Sequence, residues 1–138
     1  MVSSPAYARF PDHRIEIERN PARVRVEFAG EAIADSTRSY RVSESGHSPV
    51  VYVPREDVRV DRLEKTPHTT FCPFKGHASY YTIRVGHRVA ENAIWSYEAP
   101  YDQVAVLKGC AAFYLDRIDA LIETNAPEGA HQTGRRSP

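Results

Sequence analysis

Between His68 and His77 the chain crowds together His68, Thr69, Thr70, Cys72, Lys75 and His77. Cysteine attacks as its thiolate, and a neighbouring cation favours that form. Lys75 and His68 both lie within a few residues of Cys72, so Cys72 and Lys75 are the candidate catalytic residues. The competing reading makes Cys72 a small apolar group packed under Pro73 and Phe74. No histidine or glycine signature of a known cysteine nucleophile surrounds it. His68, Cys72 and His77 also have metal-ligand chemistry. A structural zinc asks for four ligands and a catalytic one usually for three. With no CxxC, no HExxH and no second cluster, no metal and no cofactor are expected.

Two arginines are candidates for holding an anion. Arg55 lies in Pro54-Arg55-Glu56-Asp57, and Arg38 ends Asp35-Ser36-Thr37-Arg38. A guanidinium can clamp a carboxylate or phosphate through two parallel hydrogen bonds. The alternative for both is a solvated turn closed by a local ion pair. Tyr80, Tyr81, Trp95 and Tyr97 form an aromatic group, with Glu98 directly after it. Rings facing a cleft suit the body of a small ligand, whereas rings facing the core are packing. Tyr81 reads as core. Tyr80, on the opposite face of its strand, reads as lining a cleft with Trp95 and Tyr97. The candidate ligand-binding residues are therefore Arg38, Arg55, Tyr80, Trp95 and Tyr97. There is no GxSxG, no GxxxxGK[ST] and no GxGxxG after a strand, so the common hydrolase, NTPase and dehydrogenase signatures are missing.

These residues need strands to position them, and the sequence supplies alternation of period two. Ile15 and Ile17 alternate with charged residues, as do Val24, Val26 and Phe28. Tyr40 and Val42 continue the pattern, Val50 to Val53 form a short apolar run, and Val58 and Val60 alternate again. Asn20-Pro21, Ala29-Gly30 and Gly86-His87 read as turns, the last joining a strand at 80–85 to one at 89–97. Two further strands are expected at 104–107 and 110–114. Residues 64–76 carry two prolines and a glycine and read as an irregular, functional loop. Leu115, Ile118, Leu121 and Ile122 fall at helical spacing and predict one short helix near 115–124. Residues 1–12 and 126–138 read as tails around a single mainly-β domain over 13–125, the second tail disordered.

Composition narrows the function classes. The 138 residues carry 18 basic and 18 acidic side chains, for a net charge of zero. That opposes binding to nucleic acid through a general basic field and to a membrane through a polybasic surface. No apolar run approaches the roughly 20 residues that cross a bilayer. The first residues show no signal-peptide pattern, so a cytoplasmic location is expected. Two cysteines, Cys72 and Cys110, exclude a disulfide scaffold and read as free thiols. Cys110, in an apolar run, reads as core.

Several motifs occur together in order: Ala34-Asp35-Ser36-Thr37-Arg38, Tyr52-Val53-Pro54-Arg55-Glu56-Asp57-Val58, Thr70-Phe71-Cys72-Pro73-Phe74-Lys75-Gly76, Ala78-Ser79-Tyr80-Tyr81, Ala93-Ile94-Trp95-Ser96-Tyr97 and Ala112-Phe113-Tyr114. As a set, from about Val24 to Ile122, they resemble the bacterial and fungal family called domain of unknown function 427. The resemblance implies two packed antiparallel sheets of the β-tent kind. That fold is similar to methionine sulfoxide reductase B and to the thalidomide-binding domain of cereblon. Zinc-bearing β-tent proteins hold their metal in paired CxxC knuckles, which this chain lacks. β-tent proteins also use the cleft between their sheets for small ligands.

Two functions follow as expectations. In the first, a small-molecule ligand, anionic in one form of the reading and a substrate if the chain is an enzyme, sits among Tyr80, Trp95 and Tyr97, with Arg38 and Arg55 holding its charge. In the second, the chain is a non-catalytic protein-interaction module using 64–76 and Trp95. Open sheet edges would also permit a homodimer.

Overall fold

The computed structural model describes residues 2–125. A one-turn helix α1 (Ala6–Arg9) precedes ten strands: β1 (Ile15–Arg19), β2 (Arg23–Phe28), β3 (Glu31–Ser36), β4 (Tyr40–Glu44), β5 (Val50–Tyr52), β6 (Leu63–Cys72), β7 (Gly76–Val85), β8 (Arg88–Ser96), β9 (Ala112–Phe113) and β10 (Ala120–Thr124). They form three antiparallel sheets, ordered β1-β4-β5, β10-β2-β3 and β6-β7-β8-β9. The mainly-β architecture is as expected, with three sheets in place of two.

The turns are where their chemistry puts them. Ala29 and Gly30 close β2 onto β3 with both φ positive (53° and 80°), the conformation that matches the twist of a two-residue hairpin. Gly86-His87 closes β7 onto β8, pairing Val85 with Arg88.

The four-stranded sheet lies between two cores, and the alternation of β7 and β8 assigns their side chains. Tyr81 pairs with Ile94 and packs with Val24, Val26, Phe28 and Ile33 from the β10-β2-β3 sheet. Tyr80 pairs with Trp95, and this face packs with Val42 and Tyr52 from the β1-β4-β5 sheet. Adjacent tyrosines thus serve opposite cores, which is the period of two applied to neighbours.

Several expectations change. Residues 64–76 are not an irregular loop. They form most of β6, an edge strand, then a turn at Pro73-Phe74-Lys75 and the first residue of β7. Pro67 cannot donate to a ladder, and the pairing skips there: Lys65 faces Tyr81, and the next pair is Thr69 with Ser79. An edge strand with a bulge accommodates what a central strand would reject.

The helix expected near 115–124 is a 3-10 turn (Leu115–Arg117) followed by β10, which pairs with the free edge of β2. Ile118 and Leu121 still reach the first core. Their spacing reflects burial, and the open edge of β2 decides the backbone.

The strand expected at 104–107 falls in a 3-10 segment (Asp102–Leu107), and Val58 and Val60 lie at 3-10 turns. Of the strand expected at 110–114, only Ala112–Phe113 is paired as β9.

The segment read as an N-terminal tail is attached to the domain. The Ser4 hydroxyl donates to the Pro73 carbonyl, and the Tyr7 hydroxyl donates to that of Phe74 at 2.9 Å. The tail expected at 126–138 lies outside the described residues.

Candidate functional site

A cavity of about 250 Å³ opens between the four-stranded sheet and the β1-β4-β5 sheet. Tyr52, Tyr80, Trp95, Tyr97 and Tyr114 wall it, and Glu44 and Lys75 supply its charges. Cross-strand pairing positions Tyr80 beside Trp95. Tyr97 follows two residues after Trp95, and Tyr114 follows β9.

The rings hold one another. The Trp95 indole lies 4.6 Å from Tyr114 and donates its Nε1–H to the Tyr52 hydroxyl at 3.2 Å. The Tyr80 hydroxyl bonds both Thr70 Oγ1 (3.0 Å) and the Tyr114 hydroxyl (3.2 Å). Such a network fixes rotamers that an isolated tyrosine would leave free. Burial is the first reason that the phenols of Tyr52 and Tyr97 are pushed up, and Tyr114 is raised to about 12 for the same reason. At neutral pH these three phenols are therefore uncharged.

Lys75 sits in the tight β6–β7 turn, where its N–H bonds the Cys72 carbonyl and Gly76 takes φ 115°. This turn directs the lysine inward. Its side chain is only 7% exposed, and Nζ donates to Glu44 Oε1 at 2.6 Å. The other carboxylate oxygen of Glu44 meets His13 Nε2 at 2.9 Å, and the His13 ring stacks on Phe74 at 3.8 Å. Burial pushes the Glu44 carboxyl up. The Lys75 ammonium and the His13 contact outweigh it and hold the group below its usual range. A buried ion of either sign needs such a partner. Nζ also lies 3.7 Å from Cys72 Sγ and 5.9 Å from the Tyr97 ring centre.

Of the residues expected from the sequence, Lys75, Tyr80, Trp95 and Tyr97 line this one cavity, with Cys72 against Lys75. Arg38 and Arg55 do not join them. They line a separate groove with Arg19 and Lys108. Arg38 is held bidentately by Asp57, at 2.9 and 3.1 Å. Arg55 donates to the Gly109 carbonyl, the Tyr81 hydroxyl and Glu98.

Glu98 likewise leaves the cavity and is held by Tyr81, Arg55, Lys65 and Ser79. Burial raises its carboxyl, but the Tyr81 and Lys65 hydrogen bonds bring it down to about 2. His68 packs on Tyr80 and His77 on Phe71. Among the described residues no three metal-ligating side chains converge.

Glu44, His13, Tyr52 and Tyr114 enter the site without having been singled out. Glu44 was legible: it shares the parity of Tyr40 and Val42 on β4, so an acid falls on an apolar face. His13 carries no such signal, because its contacts, with Glu44 thirty-one residues on and with Phe74 in the Lys75 turn, are tertiary.

A family model described as a domain of unknown function (DUF427) matches residues 16–124. No curated protein matches the chain. The matched span runs from β1 to the end of β10 and includes every residue that lines the aromatic cavity. The chain belongs to the DUF427 family.

Proposed function

We propose that the chain binds a small, planar molecule in the Tyr-Trp cavity, with the Lys75–Glu44 pair meeting its polar edge. One observation carries the reading: a desolvated ion pair closes a space walled by five aromatic rings. A purely structural core would be cheaper with apolar groups, since buried pairs rarely add net stability. At about 250 Å³ the space falls below the roughly 300–1,000 Å³ of drug-sized sites. Its occupant is therefore of metabolite size. The pair carries no net charge, so a neutral or zwitterionic ligand fits without an uncompensated charge. The resemblance to β-tent domains, whose ligands sit between sheets, supports the same location.

Cys72 gives the site a thiol beside an ammonium. We assign any covalent chemistry to it, with Lys75 as its hydrogen-bond partner. Ligand-observed NMR on a library of one- and two-ring compounds tests the binding. Hits should compete with one another and weaken in Tyr97→Ala. A library without a hit, or hits indifferent to Tyr97→Ala and Trp95→Ala alike, would count against the proposal.

A second reading, the interaction module, draws on Phe71. It is 53% exposed on the edge strand β6. Trp95 supports this reading less, because it stands half-buried in the cavity wall. If Phe71→Ser abolished a partner interaction that Tyr97→Ala left intact, the module reading would be favoured.

A further inference from the structure

We propose that the second groove, lined by Arg19, Arg38, Arg55 and Lys108, is a site for a small phosphorylated molecule, separate from the aromatic cavity. The groove has a volume of about 490 Å³. Arg19 ends β1, Arg38 lies between β3 and β4, Arg55 stands in the 3-10 turn after β5, and Lys108 precedes β9. Four distant stretches of the chain therefore bring cations to one concavity. Glu56 is the one carboxylate that lines it among the described residues.

This concentration is unusual within the molecule. The chain has no net charge, and most of its cations are neutralised by a carboxylate within 4.0 Å. Among the described residues, Arg9, Arg14, Arg19, Lys108 and Arg117 have no such partner, and two of them meet in this groove. Arg117 instead spends its donors on the carbonyls of Glu91 and Asn92. Arg19 lies over the Tyr40 ring, its guanidinium carbon 5.6 Å from the centre, which orients it without discharging it.

The two paired arginines are preorganised rather than consumed. Asp57 takes Nε and one terminal nitrogen of Arg38, leaving the other terminal nitrogen free. Arg55 is gripped from three sides, with donors to spare. A guanidinium held this way loses little entropy when it takes a phosphate oxygen.

Phosphate suits the groove better than a carboxylate. It offers three oxygens and up to two charges to four cations. The volume exceeds what a bare phosphate fills, and Tyr40, Pro54 and Val106 give apolar wall to an organic body. A sugar phosphate has both parts.

The test is calorimetric titration with ribose 5-phosphate and, separately, inorganic pyrophosphate, each against sodium chloride at matched ionic strength. Both phosphates should bind beyond the salt control. The double variant Arg19→Gln/Lys108→Gln should weaken binding at least about tenfold, the loss expected for charge-assisted hydrogen bonds. It should keep the wild-type melting temperature, because among the described residues neither has an ion-pair partner to strand. Glu56→Gln should tighten binding, and Trp95→Ala should leave it unchanged, which separates this site from the aromatic cavity. Heat no larger than the salt control, or unaltered affinity in the double variant, would overturn the proposal.

Discussion

Lys75 Nζ and Glu44 Oε1 stand 2.6 Å apart, both largely removed from solvent, at the polar end of an aromatic cavity. The pair joins the β6–β7 turn to the end of β4, and through His13 to the chain before β1. It therefore ties two sheets together at one end of that cavity.

Removing one partner should be costly. Lys75→Met leaves a largely buried carboxylate without its ammonium partner, and urea unfolding should show a loss of about 3 kcal/mol. Adding Glu44→Leu should recover most of that loss, because a pair replaced by apolar groups is often neutral. If the single variant stays within about 0.5 kcal/mol of wild type, the pair is not desolvated as described.

Acid should weaken the fold through the lowered carboxyls. Glu98 titrates near 4.5 when unfolded and about 2 when folded. Its contribution is complete above pH 4.5 and is lost as the pH falls toward 2. Glu44, also lowered, acts in the same direction. Stability measured by urea unfolding should fall across this window. Glu98→Gln should start lower at pH 7 and fall less steeply. An identical slope in the variant would contradict the Tyr81–Lys65–Glu98 network.

The two thiols should differ in reactivity. Cys110 is buried, and burial first, with Glu56 second, raises its thiol to about 11. Cys72 is partly accessible. Iodoacetamide on the native protein at pH 8 should therefore label one site per chain. Intact mass should show that label lost in Cys72→Ser and retained in Cys110→Ser. Equal labelling of both cysteines in the folded chain would refute the assignment.

Gly76 should resist substitution. Its φ of 115° is one that residues with a side chain rarely adopt, and an added Cβ would lie 3.5 Å from the Ala99 carbonyl. Gly76→Ala should cost roughly 1–2 kcal/mol in a thermal or urea melt. It should also loosen the turn that aims Lys75.

Much of this was legible in the sequence, and the exceptions have physical causes. Parity along β7 and β8 separated Tyr81 from Tyr80 and grouped Tyr80 with Trp95, because a strand's period is fixed by its geometry. Cys72 and Lys75 stood out by type and spacing, and they do meet at 3.7 Å. Arg38 and Arg55 fall with the rings in a sequence reading only because a guanidinium could hold the charge of the same ligand. Asp57 and Glu98 draw them to another face, a choice made by tertiary pairing. Pro67 suggested a loop, since a ladder needs its missing N–H. The strand survives because β6 is an edge and bulges there. Leu115, Ile118, Leu121 and Ile122 suggested a helix, yet the unpaired edge of β2 recruits β10. In both cases a non-local partner decided the backbone.

Trp95 is the chain's one tryptophan and stands in the cavity wall, so its fluorescence reports on that space directly. The most direct measurement is Trp95 emission titrated with the ring compounds that bind by NMR, in wild type and in Lys75→Met. The account predicts saturable quenching or a spectral shift in wild type, at least about tenfold weaker in Lys75→Met through loss of the polar contact. Compounds that bind without altering Trp95 emission would place the ligand elsewhere and contradict the central claim.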